Sequence, residues 1–214
     1  MFQQKWIFQE KTLNGVYGGN ELLEKNLHPD YQGKKIAVIG GGNVAIDVSR
    51  TVKKLGAKKV TIIYRRNEKQ MPAEEKEIEE AKKEQIEFLF QTNLLKIIGE
   101  NKVEKIECIK TELIKKEGEL REVPINIEGS NFQLDFDYVI MAVGSKTEEN
   151  IVNNLNLKLS KYGYVMINEN YMTSKNNIFA GGDLAGIKTK VAWAARSGRE
   201  AAKAIDKYLE ENNV

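Results

Sequence analysis

Residues 40–45 read Gly40-Gly41-Gly42-Asn43-Val44-Ala45 and fit the pattern G-x-G-x-x-A. Such a loop does its chemistry through the main chain. Where a strand runs into a helix, glycines let backbone amides approach a pyrophosphate, and the positive end of the helix faces that charge. Gly40 permits the tight turn, Gly42 keeps a Cβ out of the phosphate's path, and Ala45 allows the helix to pack closely on the strand. The flanks suit this reading. Lys35–Ile39 is a β-branched apolar run, as expected of a fully buried parallel strand. In Asn43–Leu55, Ala45, Val48, Val52 and Leu55 recur at helical spacing, and Gly56 ends the run. Lys59–Arg65 is the next strand. A merely structural glycine turn is the competing reading, and the complete strand–loop–helix–strand context outweighs it.

The end of that second strand decides which dinucleotide fits. An acidic residue there binds the ribose 2′-hydroxyl of NAD and repels a 2′-phosphate. This chain has Tyr64-Arg65-Arg66 instead. Two guanidiniums offer forked donors to a phosphate, so Arg65 and Arg66 favour NADP(H) over NAD(H). The bland alternative is a pair of solvated arginines at a strand end.

A second cluster lies far downstream. Ile178–Asp183 reads IFAGGD and precedes an alanine-rich helix, VAWAARSGREAAKAI. On its own Gly-Gly-Asp is a common turn. Combined with LNGVYGGNELL, GKKIAVIGGGNVAIDVSRT, VTIIYRRNEKQMPA and DYVIMAVG, it resembles the glutamate synthase small-subunit family and related NADPH-dependent subunits of ferredoxin-linked complexes, from Leu13 onward. The resemblance implies a flavoprotein with two dinucleotide sites, in which the NADPH domain is inserted into a split FAD domain. It implies hydride transfer from NADPH to FAD and onward electron transfer to iron–sulfur partners. By the same resemblance Asn43 and Val44 offer amides to the pyrophosphate, and Gly144 lies on the nicotinamide side of the crevice. Gly182, Asp183 and Val191 belong to the FAD side. There the aspartate accepts from a ribityl hydroxyl and the following helix points at the flavin. Relatives open that helix with Thr-Val, whereas this chain has Lys190-Val191 with Thr189 displaced by one.

The resemblance covers the inserted domain and the second FAD segment only. The first FAD segment, with its own glycine loop, and a cysteine-rich iron–sulfur domain are expected outside these residues, so the FAD site is expected to be incomplete within this chain. The alternative reading is therefore an isolated NADP(H)-binding module without activity of its own. A self-contained short-chain dehydrogenase is disfavoured: it needs Tyr-x-x-x-Lys downstream of the loop, and Tyr31 and Lys35 lie upstream of it. Hydride transfer between stacked rings needs orientation rather than an acid or base, and no catalytic residue is assigned.

The elements that must position these residues give an α/β class: a Rossmann-type parallel sheet with an antiparallel β insert, plus a partial FAD-domain segment at the C-terminus. The division expected is 1–32 as linker and short helix, 33–144 as the NADP(H)-binding domain and 145–214 as the FAD segment. Met1–Lys11 does not read as the opening strand of a domain. Pro72 opens a third helix at its first turn, with Glu79 and Lys83 placed for an i,i+4 pair. Ile86–Phe90 is a third strand. Residues 94–136 form short β pieces separated by Gly-Glu-Asn, Lys-Lys-Glu-Gly and Glu-Gly-Ser turns, an antiparallel sheet. Asp137–Val143 returns to a buried strand. Tyr164–Ile167 and Ile178–Ala180 are short strands, and Val191–Leu209 a helix.

Composition narrows the rest. Of the 214 residues 41% are hydrophobic and 30% charged, with a net charge of +2, which is ordinary for a globular protein and shows no basic face for nucleic acid. Apolar runs are too short to cross a membrane, and no signal region stands at the N-terminus. One cysteine, Cys108, excludes an internal disulfide and a Cys-x-x-Cys centre. A cytoplasmic location is expected. Glu74, Glu75, Glu79 and Glu80 read as a solvated helix face, His28 as a turn residue, and Cys108 as structural. The segment 145–214, lacking its packing partner, is expected to leave apolar surface that favours self-association into a homo-oligomer.

Overall fold

The computed structural model describes residues 13–115, 121–144, 149–187 and 191–212. Met1–Lys11, most of the Lys115–Gly118 turn and Thr189-Lys190 lie outside them. The chain divides into two compact units, Met1–Gly144 and Ser145–Val214.

The first unit has three layers. Its centre is a five-stranded parallel sheet of β1 (Val16–Gly18), β2 (Lys35–Ile39), β3 (Lys59–Ile63), β4 (Glu87–Leu89) and β9 (Tyr138–Met141), in the order β1-β9-β2-β3-β4. Alternate side chains of each strand serve opposite layers. Ile36 and Val38 of β2, Val60 and Ile62 of β3 and Ile140 of β9 meet helices α1 (Gly19–Lys25), α2 (Asn43–Lys54) and α3 (Glu75–Lys83) through Leu22, Ala45, Val48, Val52, Ile78 and Ala81. Ala37, Ile39, Ile63 and Val139 face the other way, onto an antiparallel sheet. That sheet is β5 (Thr92–Ile98), β6 (Lys105–Ile114), β7 (Val123–Asn126) and β8 (Phe132–Asp135), with β6 pairing β5, β7 and β8. Strands covered on both faces read as unbroken apolar runs, which is why KIAVI is legible.

The α/β class with a parallel sheet and antiparallel insert is borne out. Several local expectations are corrected. Val16–Gly18, within the stretch expected as linker and short helix, is an edge strand bonded to β9. Pro72 stands outside α3, which begins at Glu75 behind the N-cap Glu74. The Asn43 side chain accepts from the Glu74 amide (3.2 Å), and the Ala73 amide donates to Gly41 O (3.2 Å), so residues 72–74 are tied to the glycine loop before the helix starts. The lysines of α3 pair three residues back, Lys82 with Glu79 and Lys83 with Glu80, rather than Lys83 with Glu79. Lys82 also reaches Glu68.

Cys108 is fully buried between the two sheets, and burial pushes its thiol up to about 12. It is a small apolar side chain there, not a nucleophile.

The second unit holds α4 (Glu149–Asn154), a single 3-10 turn at Gly182–Ala185 and the long helix α5 (Val191–Asn212) around a small core of Val152, Val165 and Ala180. The two short strands expected at Tyr164–Ile167 and Ile178–Ala180 are absent among the described residues. Each segment meets a partner at one register position, Leu159 with Val165 and Met172 with Phe179, so neither builds a ladder. Several apolar side chains of this unit are exposed, including Tyr162, Met166, Leu184, Val191 and Trp193.

Helices α2 and α3 are clamped by Arg50, which donates to Glu84 (2.8–3.0 Å) and Glu77 (2.5 Å). That hydrogen bond, then the Arg50 charge, holds the Glu84 carboxyl below its ordinary value. A depressed carboxylate adds stability above its unfolded pKa of about 4.3 and loses it as pH falls through the folded value. Arg50→Ala is therefore expected to lower unfolding free energy near neutral pH by about 1 kcal/mol, discounted for partial exposure. It should also flatten the loss of stability below about pH 4.3. Urea melts across pH check both; an unchanged acid slope would refute the clamp.

Candidate functional site: the carboxyl edge of the parallel sheet

In open parallel sheets ligands bind at the carboxyl ends of the strands. Here β2 and β9 are parallel neighbours whose carboxyl ends lie side by side. The chain leaves β2 through Gly40, whose φ is +145°, and a Cβ there would lie 2.3 Å from the Ala142 carbonyl oxygen. Gly40 is thus required by the close approach of β9, as well as by the turn. Its amide still donates to Ile63 O (3.1 Å), and the Ala142 amide donates to Ile39 O (2.8 Å), so both sides are anchored.

Gly41 is required for a reason the motif does not state. A Cβ on it would lie 2.6 Å from the Tyr64 ring. That ring is buried beneath the loop, and its hydroxyl donates to Gln70 O (2.9 Å). Gly42, by contrast, faces open space, with only Pro72 Cγ at 3.9 Å from a built Cβ. It is the N-cap of α2 and no side chain caps that end. Among the described residues the amides of Gly42, Asn43 and Val44 have no hydrogen-bond partner. Ala45 is fully buried against the sheet. The loop therefore presents free donors at the start of a twelve-residue helix.

Arg65 and Arg66 lie at the same edge, just after β3. Neither forms an ion pair among the described residues. Arg65 is an exposed residue, yet partial desolvation and then the Arg66 cation pull its guanidinium below the usual value. It stays charged at neutral pH. The antiparallel insert fixes the backbone of this pair. Thr111 Oγ1 donates to Arg65 O (2.8 Å), and the Gln91 amide donates to Arg66 O (3.0 Å). Arg66 Nε donates to Glu122 O (3.3 Å), at the start of β7, and Gln70 Nε2 donates to the Glu122 carboxylate (2.7 Å). Tyr64, Gln70, Thr111 and Glu122 escaped the sequence reading. Only the "x" positions of the glycine motif and the Asn-Glu-Lys-Gln stretch after the arginines hinted at them.

Gly144, with φ +98°, is exposed beyond the end of β9 and has no atom within 4 Å of a built Cβ. Glu74, Glu75 and Glu79 are exposed, and Glu79 and Glu80 pair with Lys82 and Lys83, as in a solvated charge run.

In the second unit Gly182 (φ +59°) and Asp183 form the 3-10 turn ahead of α5. Buried Ser197 holds this turn: Gly182 N donates to its hydroxyl (2.8 Å), which donates to Ala194 O (2.8 Å). A Cβ on Gly181 would lie 3.1 Å from the same hydroxyl. Asp183 is exposed, and Val191, the first residue of α5, is 88% exposed. Within α5 only Ser197 and Ala201 are buried. Among the described residues no cluster of side chains suits a metal ion, and no helix is long and apolar enough to cross a membrane.

Comparison with known proteins agrees with this geometry. The family described as pyridine nucleotide-disulphide oxidoreductase matches residues 8–207. The chain is 34% identical to the small chain of glutamate synthase [NADPH] from Azospirillum brasilense over 179 residues, 82% of this chain and 37% of that one. It is 31% identical to the β subunit of the NADP(+)-dependent formate dehydrogenase of Moorella thermoacetica, covering 93% of this chain and 29% of the other. It is 32% identical to the NADPH-Fe(3+) oxidoreductase β subunit of Geobacter sulfurreducens, covering 96% and 35%. It thus spans about a third of the length of these relatives. Among solved structures, Mycobacterium tuberculosis FprA in complex with NADPH superposes with a TM-score of 0.78 at 18% identity, over 95% of this chain and 60% of that one. Lactococcus lactis thioredoxin reductase gives 0.75 at 20% identity, over 99% and 64%. These structures share the fold. The expected resemblance to glutamate synthase small subunits is borne out, and the chain belongs to the pyridine nucleotide-disulphide oxidoreductase family.

Proposed function

We propose that the Gly40–Ala45 loop, with Arg65 and Arg66, binds NADP(H), and that this chain is the NADPH-binding portion of a flavin-dependent oxidoreductase. The observation that carries the reading is the combination at one sheet edge of an uncapped helix start and two cations without carboxylate partners among the described residues. The helix start suits a pyrophosphate. The guanidiniums suit the 2′-phosphate, and no acidic residue stands at the end of β3 to oppose it. Gly144 would border the nicotinamide where β9 ends. The three relatives differ in the rest of their names but share NADPH or NADP, which supports the donor side as the common element.

FAD would accept hydride from the nicotinamide when bound. The residues present suit one half of its site. The Gly181–Ala185 turn is braced by Ser197, with Asp183 exposed to accept from a hydroxyl and the start of α5 beside it. The G-x-G-x-x-A loop at Gly40–Ala45 is already used by NADP(H) in this reading, so the ADP half of FAD needs a second chain segment. In this reading residues of this chain bind and orient, and hydride transfer between stacked rings asks no proton of them. Electron delivery to iron–sulfur partners is the proposed role of the assembled enzyme. The second reading, an NADP(H)-binding module on its own, is favoured by that glycine loop.

Two measurements separate these possibilities. Arg65→Ala and Arg66→Ala are each expected to weaken NADPH binding about tenfold while leaving NADH binding within about twofold, measured by calorimetric titration. Equal losses for both cofactors would overturn the 2′-phosphate assignment. The purified chain should be colourless yet bind NADPH if it acts as a module. A flavin absorption band that bleaches on adding NADPH supports the oxidoreductase instead, and absence of NADPH binding refutes both.

A further inference from the structure

Among the described residues, Glu122 is the one acidic residue whose backbone is hydrogen-bonded to the arginine pair, through the 3.3 Å bond from Arg66 Nε to its carbonyl oxygen. A carboxylate on that residue is a natural partner for the guanidinium beside it, and such a pair would cancel the charge that a 2′-phosphate needs. The pair does not form: Arg66 and Glu122 make no ion pair. The Glu122 carboxylate is instead drawn to the Gln70 amide at 2.7 Å.

Gln70 is firmly placed for this. Its amide nitrogen is capped by Asn67 Oδ1 (3.1 Å), and its carbonyl accepts from Tyr64 Oη (2.9 Å). Its Oε1 is buried and has no hydrogen-bond partner among the described residues. The carboxylate can only accept, so the Gln70 NH2 group must face it, and this leaves Oε1 as the orphaned acceptor.

We propose that Gln70 is a positioning residue for cofactor selectivity: by holding the Glu122 carboxylate it keeps Arg66 available to the 2′-phosphate. This rests on the reading of Arg65 and Arg66 as the 2′-phosphate site. Released, the carboxylate would do what an acid at the end of β3 does in an NAD-type domain, pairing with the cation and repelling the phosphate. The effect is on the NADPH-to-NADH affinity ratio, because NADH has no group at that position.

The test is equilibrium titration of NADPH and NADH into the full 214-residue chain, comparing Gln70→Ala, the double variant Gln70→Ala/Glu122→Gln, and Arg66→Ala. Gln70→Ala is expected to weaken NADPH roughly fivefold, the upper range for an exposed ion pair, with NADH unchanged. The double variant should recover the NADPH affinity, since it removes the released charge. Equal weakening of both cofactors, no change in the ratio, or no recovery in the double variant each overturns the proposal. If Arg66→Ala itself leaves the ratio unchanged, the 2′-phosphate reading fails and this inference with it. If Arg66→Ala changes the ratio and Gln70→Ala does not, only this inference falls.

Discussion

The parallel neighbours β2 and β9 end close together, and the rest of the first unit depends on how that closeness is tolerated. β2 and β9 meet where Gly40 passes the Ala142 carbonyl, at a separation that leaves no room for a side chain. The left-handed backbone at Gly40 redirects the chain into α2 at once. Helix α2 therefore starts directly over the sheet edge, with its first amides turned to the crevice rather than consumed by a cap. Gly41 extends the same logic by lying on the Tyr64 ring, which ties the loop to the end of the neighbouring strand. Steric exclusion at two glycines thus places both the amide cluster and the arginines.

The antiparallel insert then has two duties. One face supplies the apolar cover that the parallel sheet needs on the side away from its helices, through Leu94, Ile97, Ile106 and Cys108. Its polar contacts brace the backbone after β3: Thr111 to Arg65, Gln91 to Arg66, and Glu122 to the Arg66 side chain. Two like charges side by side are costly in a partly desolvated place, as the lowered Arg65 shows. Among the described residues the scaffold that holds them supplies no counter-charge, which is what the proposed 2′-phosphate site requires.

The glycine loop, the two buried strands and the arginines were legible in the sequence because their signals are local: a period, a run, a motif. What escaped depends on pairing across the fold. Val16–Gly18 is three residues long and becomes a strand only because β9 arrives beside it. Pro72 suggested a helix start, but the turn at residues 72–74 is fixed by Gly41 and Asn43, some thirty positions earlier. The apolar stretches 164–167 and 178–180 have strand composition yet no ladder partner. Ser197 interrupts an alanine stripe with no outward sign that its hydroxyl braces a glycine turn fifteen residues before it. Gln70 and Glu122 are ordinary surface types, and only their 2.7 Å contact gives them a role.

The strand order also dictates an order of assembly. β2, β3 and β4 follow one another along the chain and pair as neighbours, and β5, β7 and β8 all pair with β6 close by in sequence. β1 is different: its partner is β9, with Val16 matched to Val139. Closing a loop on that scale is entropically expensive and slow compared with the local pairings. Among the described strands of this unit β1 comes earliest in the chain, yet its place in the sheet waits for β9. The slot between β1 and β2 is filled by a strand arriving from the far end of the unit, so the crevice beside Gly40 is also the last part of the sheet to exist.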